Sequence, residues 1–298
     1  MPAESHALVF VAAPDDKPAY REALLMLGRV ALARKLPPPD VLSGWESAEW
    51  IYPEKDAELA EEAAHAVKGL PVDWALLPAE GRRKQLLVAD MDSTIINVEC
   101  LDELADYAGL KAEIAAITER AMRGELAFEP ALRERVGKLK GLALSALQRT
   151  YDERVRLNPG AASLVGTMAK HGARCVLVSG GFTFFTSRVS EVAGFHANYA
   201  NQLEEDGQTL SGTVKQPILG RAAKLETLVQ EAEHKGATPA AALAIGDGAN
   251  DLDMIKAAGL GVAYRAKPVV AAEADAKIDH TSLETALFFQ GYRRGEFA

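Results

Sequence analysis

One stretch limits what this chain can fold into more than any other: Gln85-Leu86-Leu87-Val88-Ala89-Asp90-Met91-Asp92-Ser93-Thr94, an apolar run that ends in two aspartates one residue apart. The four apolar residues before Asp90 read as a short strand buried on both faces, the kind found in a parallel sheet covered by helices. Asp90 then stands at the strand's C-terminal end, the edge of an open α/β sheet where ligands bind. Two carboxylates in a partly dry crevice repel each other unless a proton or a cation intervenes. Mg2+, a hard ion that prefers oxygen, is the plain expectation. Taken alone, the same letters also describe a solvated loop after a strand.

Three later stretches bear on that choice. Cys175-Val176-Leu177-Val178 is a second apolar run and ends in Ser179-Gly180-Gly181. Gly220-Arg221-Ala222-Ala223-Lys224 reads as a helix start. Ala242-Leu243-Ala244-Ile245 is a third apolar run and ends in Gly246-Asp247-Gly248-Ala249-Asn250-Asp251. Three strands thus end in acid, hydroxyl and acid, with a lysine ahead of the third.

This set resembles the four motifs of the haloacid dehalogenase superfamily of phosphotransferases. Its wording is closer still to the phosphoserine phosphatase family within it: Asp90-Met91-Asp92-Ser93-Thr94, Glu99, Ser179-Gly180-Gly181-Phe182 and Gly246-Asp247-Gly248-Ala249-Asn250-Asp251. The likeness covers about residues 85–290. It implies Mg2+-dependent hydrolysis of O-phospho-L-serine, the last step of the phosphorylated route to serine. The rivals are a phosphatase or phosphotransferase for another small metabolite, such as phosphohomoserine, and an amino-acid-sensing protein with a vestigial core.

Composition sets bounds on partners. The 298 residues suit one large domain and a small one. A formal net charge of -9 argues against nucleic acid as a partner, because a phosphate-binding face needs a basic excess. The only cysteines are Cys100 and Cys175, so no disulfide framework is implied and a reducing compartment suits them. No basic, apolar leader opens the chain and no run reaches membrane-span length, so a cytoplasmic setting with no membrane partner is expected.

Residues 1–84 read as a separate unit in the order β-α-β-α-β, a small α+β sandwich of the split-βαβ, ferredoxin-like kind. Pro37-Pro38-Pro39 breaks it and residues 79–84 form a polar linker. Many phosphoserine phosphatases carry an N-terminal domain of the amino-acid-binding ACT fold, and this segment looks like a divergent copy without a ligand motif. A packing or homodimerisation module is the plainer reading. Residues 85–298 read as a doubly wound parallel α/β core. A mostly helical insertion at about 95–158 matches the superfamily's cap, a lid that excludes water during phosphoryl transfer. Residues 203–214 read as a hairpin turning at Asp206-Gly207.

The resemblance also assigns roles. Asp90 is the nucleophile that forms an aspartyl-phosphate, and Asp92 is the general acid, then base. The metal is held by the Asp90 carboxylate, the Asp92 backbone carbonyl and Asp247, with Asp251 a further acid nearby. Ser179 and the N–H groups of Gly180 and Gly181 hold phosphoryl oxygens, helped by the positive end of the following helix. Lys224 neutralises another and orients Asp90; Lys215 and Lys235 compete for that role, and Asn250 touches substrate or phosphate. In the cap, Glu99 stands where the family binds the substrate amine and Arg135 where it binds the carboxylate, a contact that suits a guanidinium. Arg133 points elsewhere. Met122 and Phe128 match apolar positions of the pocket, and the six histidines show no ligand spacing.

Overall fold

The structure, a computed structural model, describes residues 5–53, 57–122 and 125–298. The N-terminal unit comprises β1 (His6–Ala12), α1 (Lys17–Ala33), β2 (Asp40–Ser43), β3 (Ser47–Tyr52), α2 (Ala57–Ala66) and β4 (Val72–Pro78). Its strands form one antiparallel sheet in the order β2-β3-β1-β4. The order is therefore β-α-β-β-α-β, one strand more than the sequence suggests. The missing strand is β2, which starts directly after Pro37-Pro38-Pro39 and is short, bulged and at the sheet's edge. Proline is tolerated at such an edge, so the triplet marks a strand's entry as well as a break.

Both faces of this sheet are covered. Leu8, Phe10, Trp50 and Tyr52 pack with α1 and α2. Ala7, Val9, Val11, Ala75 and Leu77 join the main core instead, so all seven residues of β1 are buried. The unit is also fastened by charge. Asp73 accepts from the backbone N–H groups of Asp279 (2.8 Å), His280 (3.2 Å) and Thr281 (2.9 Å). Residues 79–84, read as a polar linker, are tied down: Arg82 pairs with Glu49 at 2.7 Å, and Arg83 lies 4.2 Å over the Tyr292 ring.

The larger unit holds β5 (Leu86–Ala89), α3 (Cys100–Tyr107), α4 (Lys111–Met122), α5 (Phe128–Lys138), α6 (Ser145–Arg154), α7 (Ala161–Lys170), β6 (Arg174–Phe182) and α8 (Thr183–Ala193). It continues with β7 (Ala197–Asn201), β8 (Leu203–Asp206), β9 (Thr209–Val214), α9 (Arg221–His234), β10 (Ala242–Gly246), α10 (Leu252–Ala257), β11 (Leu260–Tyr264), α11 (Pro268–Ala271), β12 (Ala276–Ile278) and α12 (Thr285–Phe289). Six strands make a parallel sheet in the order β12-β11-β10-β5-β6-β7. The chain winds outward from β5 in one direction and returns to β10 to wind outward in the other. The point of reversal lies between β5 and β10, where a crevice opens at the strand ends.

Strand alternation feeds two cores. Leu87 and Ala89 face α7, α8 and α12, whereas Leu86 and Val88 face α9 and α10. All four are fully buried. Each of the larger three contributes about 1.5–3 kcal/mol relative to exposure, so a charge at Val88 would break the strand that carries Asp90. The cap, α3 to α6, packs Leu104, Ile114, Leu132, Val136 and Leu147 together. The β8–β9 hairpin is as expected, and it docks on the cap: Gly141 N–H donates to Leu210 O (2.8 Å) and Leu144 N–H to Gln208 O (2.9 Å).

Candidate active site

After β5 the chain winds through a wide, kinked turn, Met91–Ile95, with extended backbone at Asp92 (φ -65°, ψ 136°) and left-handed backbone at Ser93 (φ 56°). A left-handed conformation costs a non-glycine residue about 1 kcal/mol. The kink sends the two carboxylates to different places. Asp90 Oδ1 caps Met91 N–H at 2.8 Å and meets Lys224 Nζ at 2.7 Å. Asp92 turns toward the cap: Oδ1 accepts from Cys100 N–H (2.9 Å), the first residue of α3, and Oδ2 from Ser179 Oγ (3.1 Å).

The carboxylates that converge are Asp90, Asp247 and Asp251, whose oxygens lie within 4.8 Å of one another. Asp251, expected near the metal directly or through water, is a member of this cluster, while the Asp92 carboxylate is engaged elsewhere. Lys224 Nζ also bonds Asp251 Oδ1 at 2.6 Å, and the lysine is 2% exposed. Thr94 Oγ1 donates to Asp247 Oδ1 at 3.2 Å, and Gly248 N–H to Asp251 Oδ2 at 3.0 Å. Gly246 makes the approach feasible, since a Cβ there would lie 2.4 Å from Asp251 Cγ.

Electrostatics follow from burial. Burial, then Asp251, raises the Asp90 carboxyl well above its usual range, with Lys224 opposing. Burial would lower Lys224, but Asp251 and Asp90 together hold it raised, so it stays charged. Asp247 is raised by burial and by Asp251. One lysine does not neutralise three clustered acids. An all-oxygen donor set with surplus negative charge fits a hard divalent cation. Burial likewise raises Asp92, opposed by the Cys100 N–H.

The hydroxyl strand end lies beside them. Gly181 N–H donates to Ser179 Oγ at 2.8 Å, and a Cβ on Gly181 would sit 2.9 Å from Asp92 Oδ2. A residue the motifs did not flag supports this loop. Asn201, 2% exposed, donates to Gly180 O (2.9 Å) and Leu219 O (3.1 Å), and accepts from Leu219 N–H (2.7 Å). It ties the Ser-Gly-Gly loop to the chain that leads into α9 and Lys224. Asn250 is half-buried in the single turn before α10.

The cap contributes Glu99 and Arg135. Glu99 is exposed and accepts from Ser93 Oγ at 2.6 Å. Protein around it, then Asp92, pushes its carboxyl up to about 7. Arg135 is half-buried on α5, donating to Ala131 O (3.3 Å) and Thr118 Oγ1 (3.5 Å). Burial lowers its pKa, against the attraction of Asp102 and Glu99. Arg133 is exposed and pairs with Glu129. The Phe128 ring lies over the Ser-Gly-Gly loop, 3.2 Å from where a Gly180 Cβ would stand. The Met122 side chain lies outside the described residues. Lys235 bonds Gly172 O and Lys215 is exposed, so of the three lysines considered Lys224 alone reaches the crevice.

Comparison with known proteins places this geometry. The family profile of the haloacid dehalogenase-like hydrolases matches residues 87–256. The chain is 47% identical over 208 residues to a phosphoserine phosphatase of Polaromonas sp., covering 68% of this chain and 88% of that protein. It is 40% identical over 229 residues to a phosphoserine phosphatase of Archaeoglobus fulgidus, covering 76% and 66%. A HAD family hydrolase of Salmonella enterica superposes with a TM-score of 0.83 at 27% identity, over 96% of this chain and 98% of that one. An unliganded probable phosphoserine phosphatase of Vibrio cholerae gives 0.76 at 30% identity, over 96% and 86%. The last two likenesses take in the N-terminal unit as well.

Proposed function

The chain belongs to the haloacid dehalogenase-like hydrolases, and from that premise we propose that it is a phosphoserine phosphatase, hydrolysing O-phospho-L-serine to L-serine and phosphate. The observation that carries the reading is the meeting of two chemistries at one crevice. An acid cluster with a buried lysine is one; the other is the cap pair Glu99 and Arg135, Glu99 near enough to feel the charges of Asp92 and Asp247 and Arg135 near enough to feel that of Glu99. A phosphate monoester carrying an ammonium and a carboxylate matches both.

Asp90, held by Lys224, attacks phosphorus and becomes the aspartyl-phosphate. Asp92 gives its proton to the leaving serine oxygen; its raised pKa suits an acid. It then takes a proton from the water that opens the acyl-phosphate, restoring Asp90 and releasing phosphate. Ser179, the Gly180 and Gly181 N–H groups and Lys224 hold the phosphoryl oxygens, which carry most of the charge in the transition state. Mg2+, held by Asp90, Asp247, the Asp92 carbonyl and Asp251 directly or through water, supplies further charge neutralisation when bound. Arg135 takes the substrate carboxylate and Glu99 the ammonium, while Phe128 helps close the crevice to water.

On this reading the protein performs the last step of the phosphorylated route to serine. Two buried free thiols, Cys100 and Cys175, accord with a reducing, cytoplasmic setting. Exposed Leu25, Leu32, Val41, Trp45 and Ile51, all in the N-terminal unit, support self-association through it. Phosphate release from O-phospho-L-serine, phosphohomoserine and a sugar phosphate, with and without Mg2+, tests the assignment. Mg2+-dependent turnover of phosphoserine in clear preference is expected. Preference for the sugar phosphate would retain Asp90 and Asp92 and remove Glu99 and Arg135 from their roles, whereas preference for phosphohomoserine, which also carries an ammonium and a carboxylate, would keep all four and change the substrate.

A further inference from the structure

The chain crosses between core and cap twice, and the two crossings are zipped together. Ile96 and Leu157 form an isolated antiparallel bridge, and Asn97 N–H donates to Arg156 O at 3.1 Å. Asn97 Oδ1 in turn accepts from Arg156 N–H at 2.8 Å. The closest grip comes from Asn158 on the return crossing. Its side-chain amide donates to Thr94 O (2.8 Å) and Ile96 O (2.9 Å), and its backbone N–H to Ile95 O (2.8 Å). One residue thus holds three consecutive carbonyls of a turn that, being neither helix nor strand, has few backbone partners of its own.

Asn158 is itself anchored from behind. Leu283 N–H donates to Pro159 O at 3.0 Å. Gly160, left-handed at φ +82°, packs so tightly that a Cβ would lie 2.7 Å from Glu284 N. The return crossing is therefore a fixed post in the core floor, and the irregular 91–95 turn takes its shape against it. From Thr94 the line is short: its carbonyl is held by Asn158, and its fully buried hydroxyl holds Asp247.

We infer that Asn158, which lies in none of the four motifs, is a positioning residue for the reaction: it sets the turn that carries Asp92 and, through Thr94, the orientation of Asp247. This rests on the reading of Asp90, Asp92 and Asp247 given above, and it concerns the core chemistry rather than the choice of substrate. Loss of the amide should therefore lower kcat on every phosphate monoester alike and weaken the hold on Mg2+, with little change in the KM for phosphoserine.

The test compares wild type with Asn158→Ala, Asn158→Asp (same shape, no donors to Thr94 O and Ile96 O) and Thr94→Val. For each, kcat and KM are measured on O-phospho-L-serine and p-nitrophenyl phosphate. The Mg2+ concentration giving half the maximal rise in melting temperature is measured without substrate. Disturbing the residues that support ligands typically costs 10–100-fold in metal affinity or activity, so about a tenfold fall in kcat and about a tenfold rise in half-saturating Mg2+ are expected for the Asn158 variants, with KM within about twofold. Asn158→Ala combined with Thr94→Val should be no worse in Mg2+ than the poorer single variant. Variants that melt lower but keep wild-type kcat and Mg2+ half-saturation would overturn the inference, as would a loss confined to the KM for phosphoserine. Should both Asn158 variants fail to fold, an unchanged Mg2+ half-saturation in Thr94→Val overturns it. A wild type that turns over neither substrate with Mg2+ would count against the proposed function instead.

Discussion

The floor of the crevice and its roof are built in opposite ways. In the floor, Asp90, Lys224 and Asp251 are almost wholly buried, and Lys224 makes two contacts shorter than 2.8 Å. In the roof, Glu99 is exposed and Arg135 half-buried, and Arg135 makes long hydrogen bonds to Ala131 O and Thr118 Oγ1. A buried lysine gripped by two carboxylates is costly to disturb, whereas a half-open guanidinium keeps donors free for an incoming anion. On the proposed function the floor is preorganised for one reaction, and the roof is completed by its ligand.

Breaking the floor should have the largest effect. Asp90→Asn should cut kcat by about 10^4-fold or more on any substrate, as loss of a nucleophile does. Lys224→Met should be unusual in harming fold and activity together. Removing one partner of a buried pair costs about 3–5 kcal/mol, because Asp90 and Asp251 then face each other unscreened. A chemical melt of the metal-free protein measures it, and a loss below about 1 kcal/mol, the size of a surface pair, would contradict the floor's description.

The roof should respond differently. Glu99→Gln and Arg135→Lys should each lower kcat/KM for phosphoserine by about 10–100-fold, the worth of a charge-assisted contact of about 1.5–3 kcal/mol. Turnover of p-nitrophenyl phosphate and the melting temperature should scarcely change. Equal losses on both substrates would erase the distinction between floor and roof.

A subtler division appears in pH. The Glu99 carboxyl, pushed up to about 7 by burial and Asp92, is neutral below that pH, and an ammonium needs the anion. The KM for phosphoserine should therefore rise as pH falls through about 7, by at most about tenfold per unit. An ester without an amine reports the titration of its own phosphate near pH 6 as a control. The excess for phosphoserine should vanish in Glu99→Gln.

The same contrast governs what was legible in the sequence. The floor could be read because its residues sit at strand ends: an apolar run that stops at Asp90, Ser179 or Asp247 states its own position in a parallel sheet. Glu99 and Arg135 have no such marker, and only resemblance singled them out among the many charged residues of helical segments. Asn201 and Asn158 escaped altogether, because each acts on backbone carbonyls brought near by the fold, which no local spacing records. The strand β2 was hidden behind three prolines. That Asp251 belongs near the metal was expected; the close approach that Gly246 permits it is a three-dimensional fact.

On the proposed mechanism, one floor transfers phosphoryl groups to Asp90 whatever the roof accepts. Quenched turnover of the wild type followed by peptide mass spectrometry tests it most directly, with Asp92→Asn used only on p-nitrophenyl phosphate, whose leaving group needs no proton, to slow hydrolysis of the adduct. With Mg2+ and either phosphoserine or p-nitrophenyl phosphate, the account predicts a phosphoryl group on the peptide that contains Asp90, and on that residue. A phosphoryl group on another residue, or none from phosphoserine under conditions where wild type releases phosphate, would contradict it.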